Sequence, residues 1–295
     1  MRYKLKNLVK KIRWILLQCY KIFLNQLNNR PFISGDNFKG ICDIVISKKD
    51  LGLSKTTRKI NTSNSLFIEG HLLEELIRFH APALETKIVV SGNSDQNFKL
   101  RPNFPYRPQY VYCQNLADSK DVIYKTLPIG IENLRLGRSG FKHLHKPRFE
   151  FEITDKVLLP PMSPTHESRM QILEIAKKRS EIFNVEEGLL PTSEYFKLLR
   201  KYKFVFVCEG NGYDTHRLWE VLYQNSFPII LESEWAKSLS WLNLPILMIS
   251  KIEDLNQTLI ENHYRMHSEK QPSDYPTLWM PYWDTLINSK TMNES

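Results

Sequence analysis

The chain has 295 residues, of which 42% are hydrophobic and 12% aromatic, enough apolar surface for one large domain or two of ordinary size. A disordered or low-complexity protein is excluded. The formal net charge is +9, but eight cations precede the first acidic residue, Asp36, and the rest of the chain is close to neutral. This uneven distribution argues against nucleic acid as a partner.

Residues 1–30 contain these eight cations and predict a basic amphipathic helix of the kind that lies on anionic lipid. Apolar residues recur there at helical spacing: Leu5, Leu8, Val9, Ile12, Ile15, Leu16, Cys19, Ile22 and Phe23. The longest uncharged run, Trp14 to Tyr20, is too short to span a membrane, and no small-residue cleavage site follows. We expect a cytoplasmic protein bound peripherally at the inner face of the membrane. The alternative is an ordinary first helix packed on its own domain.

Residues 31–145 predict a first α/β domain. Short apolar runs indicate strands near 41–47, 65–68, 87–91, 109–113 and 124–131, with a helix around residues 72–77. Two polar loops, Ser34 to Asn37 and Ser91 to Asp95, lie at strand ends. Each is typical of turn chemistry, but each also carries a carboxylate, Asp36 or Asp95, that could serve as a catalytic base.

A polar, basic stretch, residues 137–149, is the predicted linker, and residues 146–270 predict a second α/β domain. A strand at 156–159, a helix at 167–183, a helix at 193–201, a strand at 245–249 and a helix at 252–263 are expected there. Arg169 falls in the first turn of the helix at 167–183. The aromatic segment 271–295 is expected to cross back to the first domain.

The most informative stretch of the second domain runs from Lys203 to Ile230. Phe204 to Cys208 is a wholly apolar run that predicts a buried parallel strand. A glycine-bearing loop follows, then a helix that Asp214 or Thr215 is placed to cap, and then a second strand at 228–230. This is a βαβ unit whose loop lies at the carboxyl end of a strand, where open α/β sheets bind ligands.

The loop chemistry suits an anion. Gly210 and Gly212 would let the backbone approach a ligand closely, and the first helical turn attracts phosphate. Arg217 would bind two phosphate oxygens, with Arg169 as a second phosphate contact. Glu220, one turn further on, could accept hydrogen bonds from ribose hydroxyls. The alternative is a simple turn beside an Arg217–Glu220 surface ion pair.

The motif residues are Gly210-Asn211-Gly212, Asp214, Arg217, Trp219-Glu220, Leu222 and Pro228-Ile229-Ile230. In this pattern the chain resembles the exostosin-like glycosyltransferases, most strongly over residues 200–250. Fucosyltransferases are more weakly similar, sharing an acidic residue before the loop, here Glu209, and a basic residue in the helix. Cys208-Glu209 and Asn225-Ser226-Phe227 depart from the exostosin-like pattern.

The resemblance implies an α/β fold of two Rossmann-like domains facing each other across a cleft (GT-B type). It also implies a glycosyltransferase of surface polysaccharide synthesis that uses a nucleotide-sugar, expected to be a UDP-sugar, and a glycan or lipid-linked acceptor. The donor would contact Glu209, Gly210, Asn211, Gly212, Asp214, Arg217, Glu220 and Arg169. Catalysis by inversion would use Asp95 or Asp36 as base, with Arg217 at the diphosphate.

No D-x-D motif occurs, and the four cysteines and eight histidines show no metal-ligand spacing, so neither a metal nor another cofactor is expected. A GDP-fucose-dependent fucosyltransferase remains an alternative. So does a non-catalytic scaffold that binds a nucleotide or glycan at the membrane.

Overall fold

The computed structural model describes residues 32–98, 107–117, 121–148, 150–164 and 166–289. The amphipathic helix predicted for residues 1–30 lies outside these ranges.

The first unit is built on five parallel strands in the spatial order β1-β2-β3-β4-β5. Its strands are β1 (Ile44–Ile46), β2 (Ser65–Glu69), β3 (Ile88–Gly92), β4 (Tyr110–Cys113) and β5 (Tyr124–Thr126). Its helices are α1 (Gly35–Ile41), α2 (Ser54–Asn61) and α3 (Leu73–His80). Short 3-10 helices lie at Lys48–Asp50, Gly70–Leu72, Ala81–Leu84, Leu134–Leu136 and Lys142–Leu144.

The second unit is a parallel sheet in the order β10-β9-β8-β6-β7. The strands are β6 (Ile153–Leu159), β7 (Phe183–Val185), β8 (Tyr202–Phe206), β9 (Phe227–Leu231) and β10 (Leu247–Ile249). Its helices are α4 (Glu167–Lys178), α5 (Thr192–Leu199), α6 (His216–Tyr223), α7 (Glu234–Ser238) and α8 (Gln257–His267), with 3-10 helices at Ser240–Leu242 and Ile252–Asp254. The described part of the chain ends with 3-10 helices at Pro272–Asp274 and Pro276–Leu278 and with α9 (Met280–Asn288). The strand order reverses between β6 and β8, which makes that gap the topological switch point of the sheet.

The two faces of the first sheet are covered from different parts of the chain. Alternate residues such as Leu66 and Val89 pack with the buried residues of α2 and α3. The opposite face, which includes Tyr112, packs against α1 and α9: the Trp283 ring lies 5.2 Å from Phe38 and 6.0 Å from Tyr112. Because right-handed crossovers in a sequentially ordered sheet put the connecting helices on one side, the other face needs a cover from elsewhere. The C-terminal helix supplies it.

The two units share one apolar core. A single cluster of buried residues contains Phe67, Val90 and Tyr112 from the first sheet, and Val205 and Trp219 from the second unit. The predicted linker is also packed: the carbonyl of Leu144 accepts hydrogen bonds from Arg200 Nη2 at 2.8 Å and Gln224 Nε2 at 2.7 Å. The predicted fold class, two Rossmann-like α/β units, is confirmed, with the carboxyl ends of the two sheets facing each other.

Two local predictions are wrong. The helix predicted for 167–183 ends at Lys178, and Phe183–Val185 is an edge strand instead. The guanidinium of Arg179, at the end of that helix, donates to the carbonyls of Ile252 and Leu255 and so holds the turn in place. The polar loop predicted at Ser34 to Asn37 is the start of α1, in which Ser34 Oγ accepts from the Asn37 amide at 3.3 Å.

Candidate functional site

The candidate site lies at the switch point of the second sheet, where β6 and β8 end side by side. The chain after β6 leads into α4, and the chain after β8 leads into α6. In an open α/β sheet the crevice outside these two strand ends is the usual place for a ligand. The sequence located the β8 loop correctly as a strand end, but only the sheet order shows that β6 is its neighbour.

Arg217, in the first turn of α6, reaches across the crevice to the end of β6. Its Nη2 donates to the carbonyl of Pro161 at 2.7 Å, and its Nε donates to the hydroxyl of Tyr195 at 3.2 Å. The Tyr195 ring also lies under the guanidinium, with Cζ 5.5 Å from its centroid. These contacts fix the head group. They use two of the five N–H donors of an arginine, and three others are left for a ligand.

Arg169, in the first turn of α4, reaches in the opposite direction. Its Nε donates to the carbonyl of Glu209 at 2.6 Å, and its Nη1 donates to that of Ser163 at 2.8 Å. Burial, together with the nearby charge of Arg217, lowers the pKa of Arg169. Within the described ranges neither guanidinium lies within ion-pair distance of a carboxylate. Two like charges held close together, with no carboxylate of the described residues in direct contact with either, favour an anion at this place.

Close contacts that the sequence did not reveal leave little room for a side chain at Gly210 and Gly212. A Cβ on Gly212 would lie 2.7–2.9 Å from the side-chain amide of Asn115, in the first unit. A Cβ on Gly210 would lie 3.2 Å from Arg169 Nη2 and from Thr215 Cγ2. For Gly212 the structure therefore gives a second reason for a glycine, close packing between the two units, beside the predicted approach of a ligand.

Asp214 does not cap α6; the N-cap is Thr215, whose side chain forms no capping hydrogen bond. The carboxylate of Asp214 is buried and accepts from the amide of Ile129 and from Nε1 of Trp219, each at 2.8 Å. Burial raises its pKa to about 7, although both donors oppose that shift. The Asp214 amide in turn donates to Asn115 Oδ1 at 2.7 Å. Asp214 thus ties the loop to the ends of β4 and β5.

Glu220 is buried, with 5% of its surface exposed, and accepts a hydrogen bond from the Tyr195 hydroxyl at 3.0 Å. Glu209 is nearer to open space, and burial raises its pKa. It borders a cavity of about 140 Å³ beyond the ends of β8 and β9, lined among others by Ser168, Tyr213, Glu232 and Trp235. A cavity of this size holds about one planar ring. Cys208 also lines it, but burial raises the thiol pKa to about 11, which argues against a thiolate nucleophile.

Of the two candidate bases, only Asp95 is brought to the loop. Asp95 is exposed, and its Oδ2 lies 3.4 Å from Asn211 Nδ2. The carboxylate of Asp36 instead accepts from Arg135 Nε at 2.9 Å and from Asn93 Nδ2 at 3.3 Å. Both carboxylate oxygens of Asp36 are thus already engaged by other side chains.

Sequence reasoning missed Tyr195, Asn115 and the Pro161 carbonyl. Tyr195 is one aromatic residue in an amphipathic helix, and nothing local distinguishes it. Asn115 has a left-handed backbone, with φ of 53°, and no glycine in the sequence signals that turn.

Across the described ranges, no group of three or more His, Cys, Asp or Glu side chains is placed to hold a metal ion. A search of the same residues found no helix of the length and apolarity that crossing a membrane requires.

Comparison with protein-family models gave no match, and comparison with curated proteins gave none either. Thirteen chains of solved structures match. One is titled "Crystal Structure of alpha1,3-Fucosyltransferase": it is 14% identical, the match covers 78% of each chain, and the TM-score is 0.35.

Proposed function

We propose that this protein is a glycosyltransferase that moves a sugar from a nucleotide-sugar donor to a glycan or lipid-linked acceptor. The observation that carries the proposal is the convergence of Arg169 and Arg217, from two helices, on the switch-point crevice, neither of them in ion-pair contact with a carboxylate of the described residues. A nucleoside diphosphate is the leaving group such a pair would stabilise as the bond to the sugar breaks. The first turns of α4 and α6 add partial positive charge at the same place.

The acceptor would come from the first unit. In an inverting reaction, an acceptor hydroxyl attacks the anomeric carbon, the bond from that carbon to the phosphate oxygen breaks, and the hydroxyl proton passes to a base. We assign the base to Asp95, because it lies opposite the donor loop at Asn211. Asp36 is the weaker candidate, since its carboxylate is already paired with Arg135.

The remaining donor contacts follow from the position of the diphosphate. The cavity is bordered by Glu209, whose carbonyl accepts from Arg169, and it would take the ring of a group attached to the diphosphate. UDP-sugar is the proposed donor on the strength of the exostosin-like motif, and GDP-fucose is the alternative. Surface polysaccharide synthesis at the inner face of the membrane is the proposed setting, resting on the basic residues of 1–30.

A thermal-shift panel of UDP, GDP and CMP, free and as sugar conjugates, tests the proposal, because a ligand that binds only the folded state raises the melting temperature. The affinity for the preferred ligand should fall about 10- to 100-fold in Arg217→Ala. Arg217→Lys should recover little of it, because an ammonium group cannot replace the paired N–H donors of the planar guanidinium. Arg179→Ala is the matched control: the guanidinium of Arg179 also donates two hydrogen bonds, to the carbonyls of Ile252 and Leu255, but away from the crevice.

An unchanged ligand shift in folded Arg217→Ala would reject the diphosphate site. Hydrolysis of the donor without acceptor separates an enzyme from a scaffold, because a scaffold would bind the nucleotide-sugar and leave it intact.

A further inference from the structure

Arg217, Tyr195 and Glu220 form a continuous hydrogen-bonded chain beneath the crevice. Arg217 Nε lies 3.2 Å from the Tyr195 hydroxyl, which lies 3.0 Å from Glu220 Oε2. Arg217 and Glu220 stand one turn apart on α6, whereas Tyr195 comes from α5. The Tyr195 hydroxyl therefore joins two side chains that their own helix leaves apart.

The direction of each hydrogen bond is fixed by the chemistry of the groups. A guanidinium only donates and an ionised carboxylate only accepts. Burial and the charge of Glu220 raise the pKa of Tyr195, so the phenol keeps its proton. Its one proton goes to Glu220 and its lone pair faces Arg217, which leaves a single arrangement for all three groups.

We propose that Tyr195 and Glu220 are positioning residues that hold the Arg217 guanidinium with its remaining N–H groups directed at the diphosphate. This inference rests on the proposed function of Arg217. Pro161 holds one side of the guanidinium through Nη2, and Tyr195 holds Nε and the face of the group. Glu220 then acts through Tyr195: its side chain is buried and its Oε2 accepts from the Tyr195 hydroxyl, and we assign it this role in place of the ribose contact predicted from the sequence.

We call the hydrogen-bonded chain Arg217–Tyr195–Glu220 the relay. Tyr195→Phe removes the hydroxyl and keeps the ring, so it interrupts the relay alone. Inorganic pyrophosphate is the first probe, because it presents the diphosphate without base or sugar. We expect its dissociation constant to rise about tenfold in Tyr195→Phe, as for loss of a hydrogen bond to a charged group. The nucleoside that corresponds to the best nucleotide, which lacks phosphate, should show no change.

Glu220→Gln should retain most of the pyrophosphate affinity, because the amide oxygen still accepts from Tyr195, whereas Glu220→Ala should resemble Tyr195→Phe. Tyr202→Phe is the matched control: its buried hydroxyl accepts only from Asn184 Nδ2 at 3.1 Å among the described residues, at the amino end of β8. In an Arg217→Lys background, Tyr195→Phe should cause little further loss, because coupled residues are not additive.

The ¹⁵N NMR spectrum of the full chain checks that each variant is folded. In the same spectra the Arg217 Nε–H should exchange slowly in the wild type and quickly in Tyr195→Phe, because its acceptor has been removed. Equal pyrophosphate affinity in wild type and Tyr195→Phe would overturn the relay and leave the diphosphate site standing. Loss of nucleoside binding in Glu220→Gln would restore the predicted ribose contact of Glu220 and would also overturn the relay. A wild type that binds no pyrophosphate would overturn the proposed function and the relay together.

Discussion

Gly212→Ala tests whether the loop between β8 and α6 is held in place by the first unit. The backbone of Gly212 does not adopt a left-handed conformation, so the cost of the new methyl group is steric. Its Cβ would meet three atoms of the Asn115 amide at 2.7–2.9 Å. Asn115 is fully buried and cannot easily move, because it donates to Ser94 O at 3.0 Å and accepts from the Asp214 amide at 2.7 Å.

The expected loss follows from these contacts. Overpacking a buried site costs about 1–3 kcal/mol, and weakening one hydrogen bond adds about 1 kcal/mol. We therefore expect Gly212→Ala to lower the free energy of unfolding by about 2–4 kcal/mol in urea titrations. The Asp214 amide should exchange its hydrogen faster in the same variant. Gly40→Ala is the control: Gly40 lies inside α1 with no atom within 4 Å of the new Cβ, and alanine there should be neutral or slightly stabilising.

A double-mutant cycle with Asn115→Ala identifies the neighbour. Asn115→Ala destabilises by itself but makes room for the methyl group, so Gly212→Ala should cost little in that background, with a coupling energy of about 1–3 kcal/mol. Equal stability of Gly212→Ala and wild type would refute the reasoning. So would strict additivity with Asn115→Ala, because the clash would then lie with another group.

Three further predictions concern pH and membranes. Because burial raises the pKa of Asp214 from about 4 to about 7, the stability of the wild type relative to Asp214→Asn should fall by roughly 1–4 kcal/mol between those two pH values and level off above them. Burial lowers the pKa of His263 to about 4, so its contribution is complete above pH 6.5 and is lost towards pH 4; His263→Gln should flatten that loss, and an unchanged slope would contradict it. Sedimentation with anionic vesicles should weaken in high salt and when four cations of residues 1–30 become glutamine, but not when the exposed lysines at 48, 49, 55 and 59 do. Equal effects of the two sets of substitutions would reject a specific role for residues 1–30.

The sequence by itself determined the strand-loop-helix-strand unit around the candidate site. Apolar runs such as Phe204 to Phe206 have a length and composition that favour a buried strand whatever they pack against. The polar loop that follows such a run, and the arginine in the next helical turn, are set by residues only a few positions apart. Local pattern therefore fixed both the loop and the helix that presents Arg217.

Tertiary structure alone decided what these residues contact. The neighbour of Gly212 is Asn115, nearly one hundred positions earlier in the chain. The acceptor of the Ile129 amide is Asp214, 85 positions later. A glycine that admits a ligand and one that admits a side chain have the same sequence signature, because both need only the absence of a Cβ. Likewise Glu220 looks available on a helical wheel, and only the structure shows that it is buried and that its Oε2 accepts from Tyr195 of another helix. Such pairings depend on how the two sheets are brought together, which no local pattern records.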